Sequence, residues 1–306
     1  MTGIISTGNL PRTLVEGINT VFGNEYKEKD MQFLKIYKKR MSKKNFEQDV
    51  MVSSFGLAPV KNQGSTLAYD SFSQGYTPIY TNLTYAKGFI VTKEMYDDDQ
   101  YGLFTKQARL LGSAFRKTKE YAGAAPLNHG FDSSYVMTGG DGKALFATDH
   151  PLGPDNSGTF SNKLSVATAL SEAALEQILI NIDQAVDSRN LRIGLTADKL
   201  VVPAALGFEA ERIIKSVLQS GASTNNLNAI MSTGRLPGGY TTNNFLSSSA
   251  NWFVTTDAMD GLVYQERQAI QFGQDNDFGT SDYRFKALER YVFGWSDPRG
   301  AYGSGS

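Results

Sequence analysis

The chain has 306 residues, 41% of them hydrophobic and 20% charged, which supports one large domain or two smaller ones and excludes wholesale disorder. Thirty basic and 31 acidic side chains leave a net charge of −1, so the whole chain carries no nucleic-acid or membrane footprint. Cysteine is absent, which removes disulfides, thiolate zinc sites and cysteine nucleophiles, and only His129 and His150 supply imidazole.

In chain order, residues 11–22 predict a short helix with Pro11 at its first position. The N-terminus has no basic segment followed by an apolar one, and no stretch of about 18 apolar residues occurs, so neither a secretory signal nor a membrane span is expected. Eight Lys and Arg crowd residues 27–44 against Glu28 and Asp30. They read as a solvated helix face or as a contact with an acidic partner surface or nucleic acid. Residues 46–92 alternate Val, Thr, Tyr and Phe with polar residues and are broken by Gly56, Pro59, Gly64, Gly75 and Pro78, which predicts a long hairpin. Its middle is too polar to bury much against its own domain, so it should project. Asp97, Asp98 and Asp99 are placed to cap a helix over about 103–125, whose apolar positions Phe104, Ala108, Leu111, Phe115 and Ala122 follow the 3.6-residue period. Residues 126–164 read as loops.

A second apolar helix begins after Ser171 and carries Leu175, Ile178, Leu179, Ile182, Ala185 and Val186. A short strand, 199–202, leads through Pro203 to a third helix with Leu206, Ala210, Ile213, Ile214 and Val217. Residues 220–249, rich in Ser, Thr, Asn and Gly, predict a long loop. Trp252–Thr255 reads as a strand. Two further strands, 262–272 and 282–295, flank an acidic loop, and residues 295–303 close the chain as a surface turn.

No motif supplies catalysis. The glycine run 139–143 fails the phosphate-loop pattern, which meets Met137 and Ala144 where it needs Gly and Ser or Thr. The stretch from Asp275 fails the calcium-loop pattern at Gly279 and Thr280. No nucleophile elbow occurs. His150, between Asp149 and Pro151, reads as a turn residue bonded to backbone, and His129 as a helix-end residue. The expectation is a protein that is no enzyme and has no catalytic residue, cofactor or metal.

Six segments in order carry a resemblance: LNHGF at 127–131, DGKALFATDHPL at 141–152, NKLSVATALSEAALE at 162–176, KLVVPAALGFEAERIIKS at 199–216, WFVTTDAMDGLVYQER at 252–267 and YRFKALERYVFGWSDPRGAYG at 283–303. Together they resemble the major capsid (head) proteins of tailed bacteriophages, especially the Mu-like head-subunit group. The resemblance implies an α+β, HK97-like capsid fold. Its parts would be an N-terminal arm at 1–45, a projecting E-loop hairpin at 46–88, a P-domain at 89–192 and 262–306 with a spine helix and a long antiparallel sheet, and an A-domain at 193–261. It implies self-assembly into hexamers and pentamers that form an icosahedral or prolate head around double-stranded DNA. The expected partners are further copies of the chain, a portal protein, separate scaffolding and decoration proteins, and weakly held DNA, but no membrane. The expected location is the virion, with assembly in the host cytoplasm. On this resemblance the short arm is expected to leave no room for a long cleavable scaffolding segment, so a separate scaffolding protein, or none, is expected.

Lys61, Tyr76, Arg267, Arg290, Asp297 and Arg299 are the candidate contacts within or between subunits. An encapsulin-like compartment shell, a tube or decoration subunit, and a hydrolase with an unrecognised carboxylate site are the rival readings.

Overall fold

The structure, a computed structural model, describes residues 20–97, 103–154, 158–219, 226–277 and 279–305. Helix α1 covers residues 20–27. Strands β1 (Lys38–Met41), β2 (Phe46–Gln48), β3 (Ile79–Thr81) and β4 (Leu83–Val91) follow, then helices α2 (Lys93–Asp97) and α3 (Leu103–Asn128). Next come β5 (His150–Pro151), β6 (Thr159–Phe160), α4 (Glu172–Asp183), β7 (Ala197–Pro203), α5 (Gly207–Lys215) and α6 (Ala229–Thr233). The chain closes with β8 (Tyr240–Asn243), β9 (Trp252–Thr256), β10 (Leu262–Asn276), β11 (Tyr283–Trp295) and β12 (Ala301–Ser304).

The chain divides into two compact units. The first takes residues up to 31, 82–122 and 266–292. Here β11 runs antiparallel to β4, from Tyr283 opposite Val91 to Tyr291 opposite Leu83, and β10 pairs with the other edge of β11. Successive residues of a strand face opposite ways. Phe285, Ala287, Glu289 and Tyr291 are therefore buried together on one face. The helical period does the same for Ala108, Leu111, Phe115 and Lys119 of α3. Phe22 and Tyr26 of α1 join Leu111, Phe115 and Ala287 in one core cluster. Gly112 permits this approach, because a Cβ there would lie 2.9 Å from the carbonyl oxygen of Phe22.

The second unit takes residues 32–81, 123–265 and 293–306. Its main sheet has the order β12-β9-β7-β8, with β7 and β8 parallel and the other pairs antiparallel. Ser171 caps α4 by accepting a hydrogen bond from the Ala174 amide at 3.2 Å. The apolar stripe Leu175, Ile178, Leu179 and Ile182 packs with Leu200, Val202, Trp252, Val254 and Tyr302. Leu200, Val201 and Val202 are all fully buried, as befits a central strand covered on both faces.

Several expectations change. The basic run 27–44 is no single helix; it breaks into the end of α1, a 3₁₀ turn at Gln32–Lys35 and strand β1. Of the helix expected at 11–22, residues 11–19 lie outside the described residues. Asp97 ends α2 instead of capping α3, and Asp98 and Asp99 lie outside the described residues. The loop expected at 220–249 contains α6 and β8, the latter recruited by parallel pairing with β7. Val217, expected on the third helix, lies beyond its end and is exposed. The closing segment is no surface turn: Ala301–Ser304 is buried as β12 against β9. Asn162 holds it there, its amide donating toward the carbonyls of Leu145 (2.6 Å), Pro298 (3.0 Å) and Ala301 (3.1 Å).

Candidate assembly surface

The segment between β2 and β3 is a hairpin built more by turn chemistry than by regular strands. Phe46, Glu47 and Gln48 pair with Thr81, Tyr80 and Ile79. The pairing continues through Asp49 N–H to Pro78 O (3.1 Å) and Met51 N–H to Tyr76 O (3.0 Å). Gly75 also donates to Met51 O, so Gly75 and Tyr76 together oppose Met51. Beyond this bulge the register has slipped by one residue, and Val52 bridges Gln74. At the tip, Ser65 N–H bonds Asn62 O at 3.2 Å, and Gly64 takes a φ of 85°. A turn with Gly at its third position accounts for this geometry. Between root and tip, Phe55 (62%), Leu57 (81%), Val60 (92%), Leu67 (61%), Tyr69 (90%) and Phe72 (66%) are exposed. A run of large apolar side chains this bare is a candidate contact surface.

Arg189 clamps the hairpin root. Its guanidinium donates to Ser54 O (3.1 Å), Asp70 Oδ1 (2.9 Å) and Ser71 O (3.1 Å), and thereby reaches both arms. Ser188 Oγ accepts from the Ser54 amide at 2.8 Å. The backbone N–H groups of Gly56 and Ser71, and then Arg189, hold the Asp70 carboxyl below the usual carboxylate range. The 187–191 turn is itself fixed by Asp187, which accepts from the Arg189 and Leu191 amides, with Asn190 at a φ of 59°.

A cleft of about 320 Å³ opens beside this root, with Asp49, Tyr76, Asp187, Asp260, Asp297 and Arg299 on its wall. Arg40 spans Asp49 (2.7 Å) and Asp260 (2.6 Å). Ser296 donates to Asp49 (2.5 Å) and lies 2.6 Å from the buried Tyr80 hydroxyl. Burial first, then Asp297 and Asp141, raise the Tyr76 phenol. Among the described residues no group of three or more His, Cys, Asp or Glu could hold a metal ion. No described helix is long and apolar enough to cross a membrane.

The six residues singled out in the sequence fall in different places. Lys61 is exposed beside the tip turn. Tyr76, Asp297 and Arg299 share the cleft. Arg299 is only 5% exposed. It lies 3.3 Å from Asp297, donates to Val186 O, and stacks its guanidinium 4.1 Å from the Phe160 ring centroid. Arg267 and Arg290 are half-buried on β10 and β11 of the first unit, with Arg290 opposite Thr84. His150 is a correction: it is fully buried, and its Nδ1 lies 2.5 Å from the Asp141 carboxylate, not at a turn carbonyl. Its sequence neighbour Asp149 bonds Lys143 instead. Arg189 and Asp70 were not singled out, because residues more than a hundred positions apart leave no local pattern.

The phage capsid protein family matches residues 75–304. No curated protein matches by sequence. Among solved structures, the chain is similar to a virus-like particle from Pyrococcus furiosus, with a TM-score of 0.56 and 10% identity over 95% of this chain and 98% of that one. The mature capsid of bacteriophage PhiM1 gives 0.55 and 11%, over 90% and 86%. Microbacterium phage Oxtober96 gives 0.53 and 10%, over 90% of each chain. At these identities the structural likeness speaks to the fold alone.

Proposed function

The chain belongs to the phage capsid protein family as a major, shell-forming subunit of HK97-like fold, and on that premise we propose how it assembles. Residues 1–45 act as an N-terminal arm and 46–88 as the E-loop. Residues 89–192 with 262–306 form the P-domain, and 193–261 the A-domain. The E-loop of one copy lies over the P-domain of the next. Identical copies close in this way into hexamers and pentamers, and these tile a head around double-stranded DNA. Assembly takes place in the host cytoplasm with a portal protein, and any scaffolding or decoration protein is a separate chain. An encapsulin-like compartment shell is not favoured by the family to which the chain belongs.

One observation carries this reading: the hairpin leaves six large apolar side chains bare. Covering about 400 Å² of such surface contributes on the order of 10 kcal/mol before the cost of association. A protomer with that much exposed apolar surface gains its missing burial from its neighbours.

Electron microscopy of the purified chain tests the proposal. The expected result is closed shells with five- and six-fold capsomers. Replacing residues 57–68 by a short Gly/Ser turn should leave a folded subunit that forms no shell. Normal shells from that variant would overturn the assignment of the hairpin.

A further inference from the structure

We infer that the exposed face of α3 is the surface that meets the backbone of packaged double-stranded DNA. The inference rests on the capsid reading and assigns the genome contact to named residues. Between Leu103 and Ala122 the helix carries five cations, Lys106, Arg109, Arg116, Lys117 and Lys119, against one carboxylate, Glu120. Glu120 is buried, and Lys119 is buried against Glu289 and Glu266. Arg116 is mostly covered and lies 3.8 Å from Glu28. That leaves Lys106, Arg109 and Lys117 exposed, with no ion-pair partner among the described residues.

Their spacing decides the geometry. Positions 106, 109, 113 and 117 follow the three- and four-residue steps that keep side chains on one helix face. The three cations thus form a stripe about 16 Å long at 1.5 Å rise per residue. Between them lie Leu110, Ser113 and Ala114, which carry no charge. Arg109 lines a hollow together with Glu25 and Glu28, while Lys27 and Lys29 of the same segment add exposed positive charge. Three exposed cations of a chain with net charge −1 thus share one helix face, with no ion-pair partner among the described residues.

A stripe of this length exceeds what a small anion needs, and it suits a rod with one negative charge per ~1.7 Å of axis. Two lysines and one arginine act there as charges on long stems. Such groups position a phosphate backbone without reading its sequence. Three contacts hold DNA weakly, which fits a genome that must later leave. An acidic protein partner would present charges less regularly, and its binding is one outcome of the test.

The test uses the full-length unassembled subunit, a 30-base-pair duplex of arbitrary sequence and fluorescence anisotropy between 50 and 200 mM salt. The logarithm of the wild-type binding constant should fall with the logarithm of salt with a slope of about −3. Each of Lys106→Gln, Arg109→Gln and Lys117→Gln should reduce that slope by about 1, and the triple variant should nearly abolish it. The charge-preserving set Lys106→Arg, Arg109→Lys and Lys117→Arg should keep it. An unchanged slope in the triple Gln variant overturns the inference. So does a triple variant that binds DNA normally but forms no shells, because the stripe would then be a contact between subunits or with an acidic assembly protein. In assembled shells, Lys117→Cys in this cysteine-free chain should resist a maleimide too large for the shell pores until the shell is opened. Labelling of intact shells also overturns the inference. If the wild-type chain forms no shells under any condition, the capsid reading fails, while the subunit's salt slope still decides the stripe.

Discussion

Lys119 is the residue on which the first unit's interior turns. Its ammonium lies 3.0 Å from Glu289 and 3.6 Å from Glu266, with side-chain exposures of 4%, 0% and 10%. Tyr26 donates to Glu289 at 3.0 Å, and the ammonium sits 4.9 Å from the Tyr291 ring centroid. One cation therefore serves two buried carboxylates and ties α1, α3, β10 and β11 together. Removing it deprives both carboxylates of this cation in a low dielectric. Lys119→Met is expected to cost about 3–5 kcal/mol in chemical denaturation of the unassembled subunit. The pH dependence follows from Glu289, whose carboxyl is raised by burial even though Lys119 and Tyr26 favour its ionised form. A raised carboxyl keeps its proton longer in the folded state than in the unfolded chain. Its contribution is present in full below the unfolded value near 4.3 and is lost as pH rises through the folded value. Glu289→Gln should flatten that part of the stability–pH curve, and an unchanged slope would show that another group produces it.

At the scale of elements, the hairpin root makes the sharpest prediction. Arg189 reaches Ser54 on one arm and Asp70 and Ser71 on the other, so it sets the angle at which the hairpin leaves the second unit. Arg189→Ala should speed amide exchange across residues 53–73 on the order of tenfold while α4 and β7 exchange as before. Uniform acceleration would mean the residue supports the whole unit. Asp70 adds a pH limit. Its depressed carboxyl keeps the clamp at and above the ordinary carboxylate range and loses it as pH falls through the folded value. Much of this architecture was legible in the chain. Ser171 announced α4, the stripe of Ala108, Leu111 and Phe115 announced α3, and the Gly and Pro interruptions announced the hairpin. What escaped was non-local. Tyr240–Asn243 is too short and too polar to read as a strand and becomes one only beside β7. His150 finds its carboxylate at Asp141, nine positions away, while adjacent Asp149 bonds Lys143. The tail's Gly300 and Gly303 suggest a turn, yet a Cβ on Gly300 would lie 2.2 Å from Gly261 Cα, so that glycine serves close backbone crossing.

For the whole molecule, the question is whether the bare hairpin is a contact surface or only a polar-enough loop. Val60 separates the two, because it is 92% exposed within the subunit. A residue that touches so little of its own chain can be changed with an effect on subunit stability within about 0.5 kcal/mol. In a shell, the same side chain covered by a neighbour contributes about 1.5 kcal/mol of transfer free energy. Val60→Ser should therefore leave denaturation of the subunit unchanged and raise the critical concentration for assembly about tenfold. Light scattering against protein concentration measures the second quantity, and a urea titration measures the first. If the critical concentration stays fixed while Leu57→Ser and Tyr69→Ser also leave it fixed, the hairpin's apolar side chains are not what joins the copies. If subunit stability falls together with assembly, Val60 is packed within its own chain in solution. Only a shift in assembly at constant subunit stability assigns the missing burial to the neighbour.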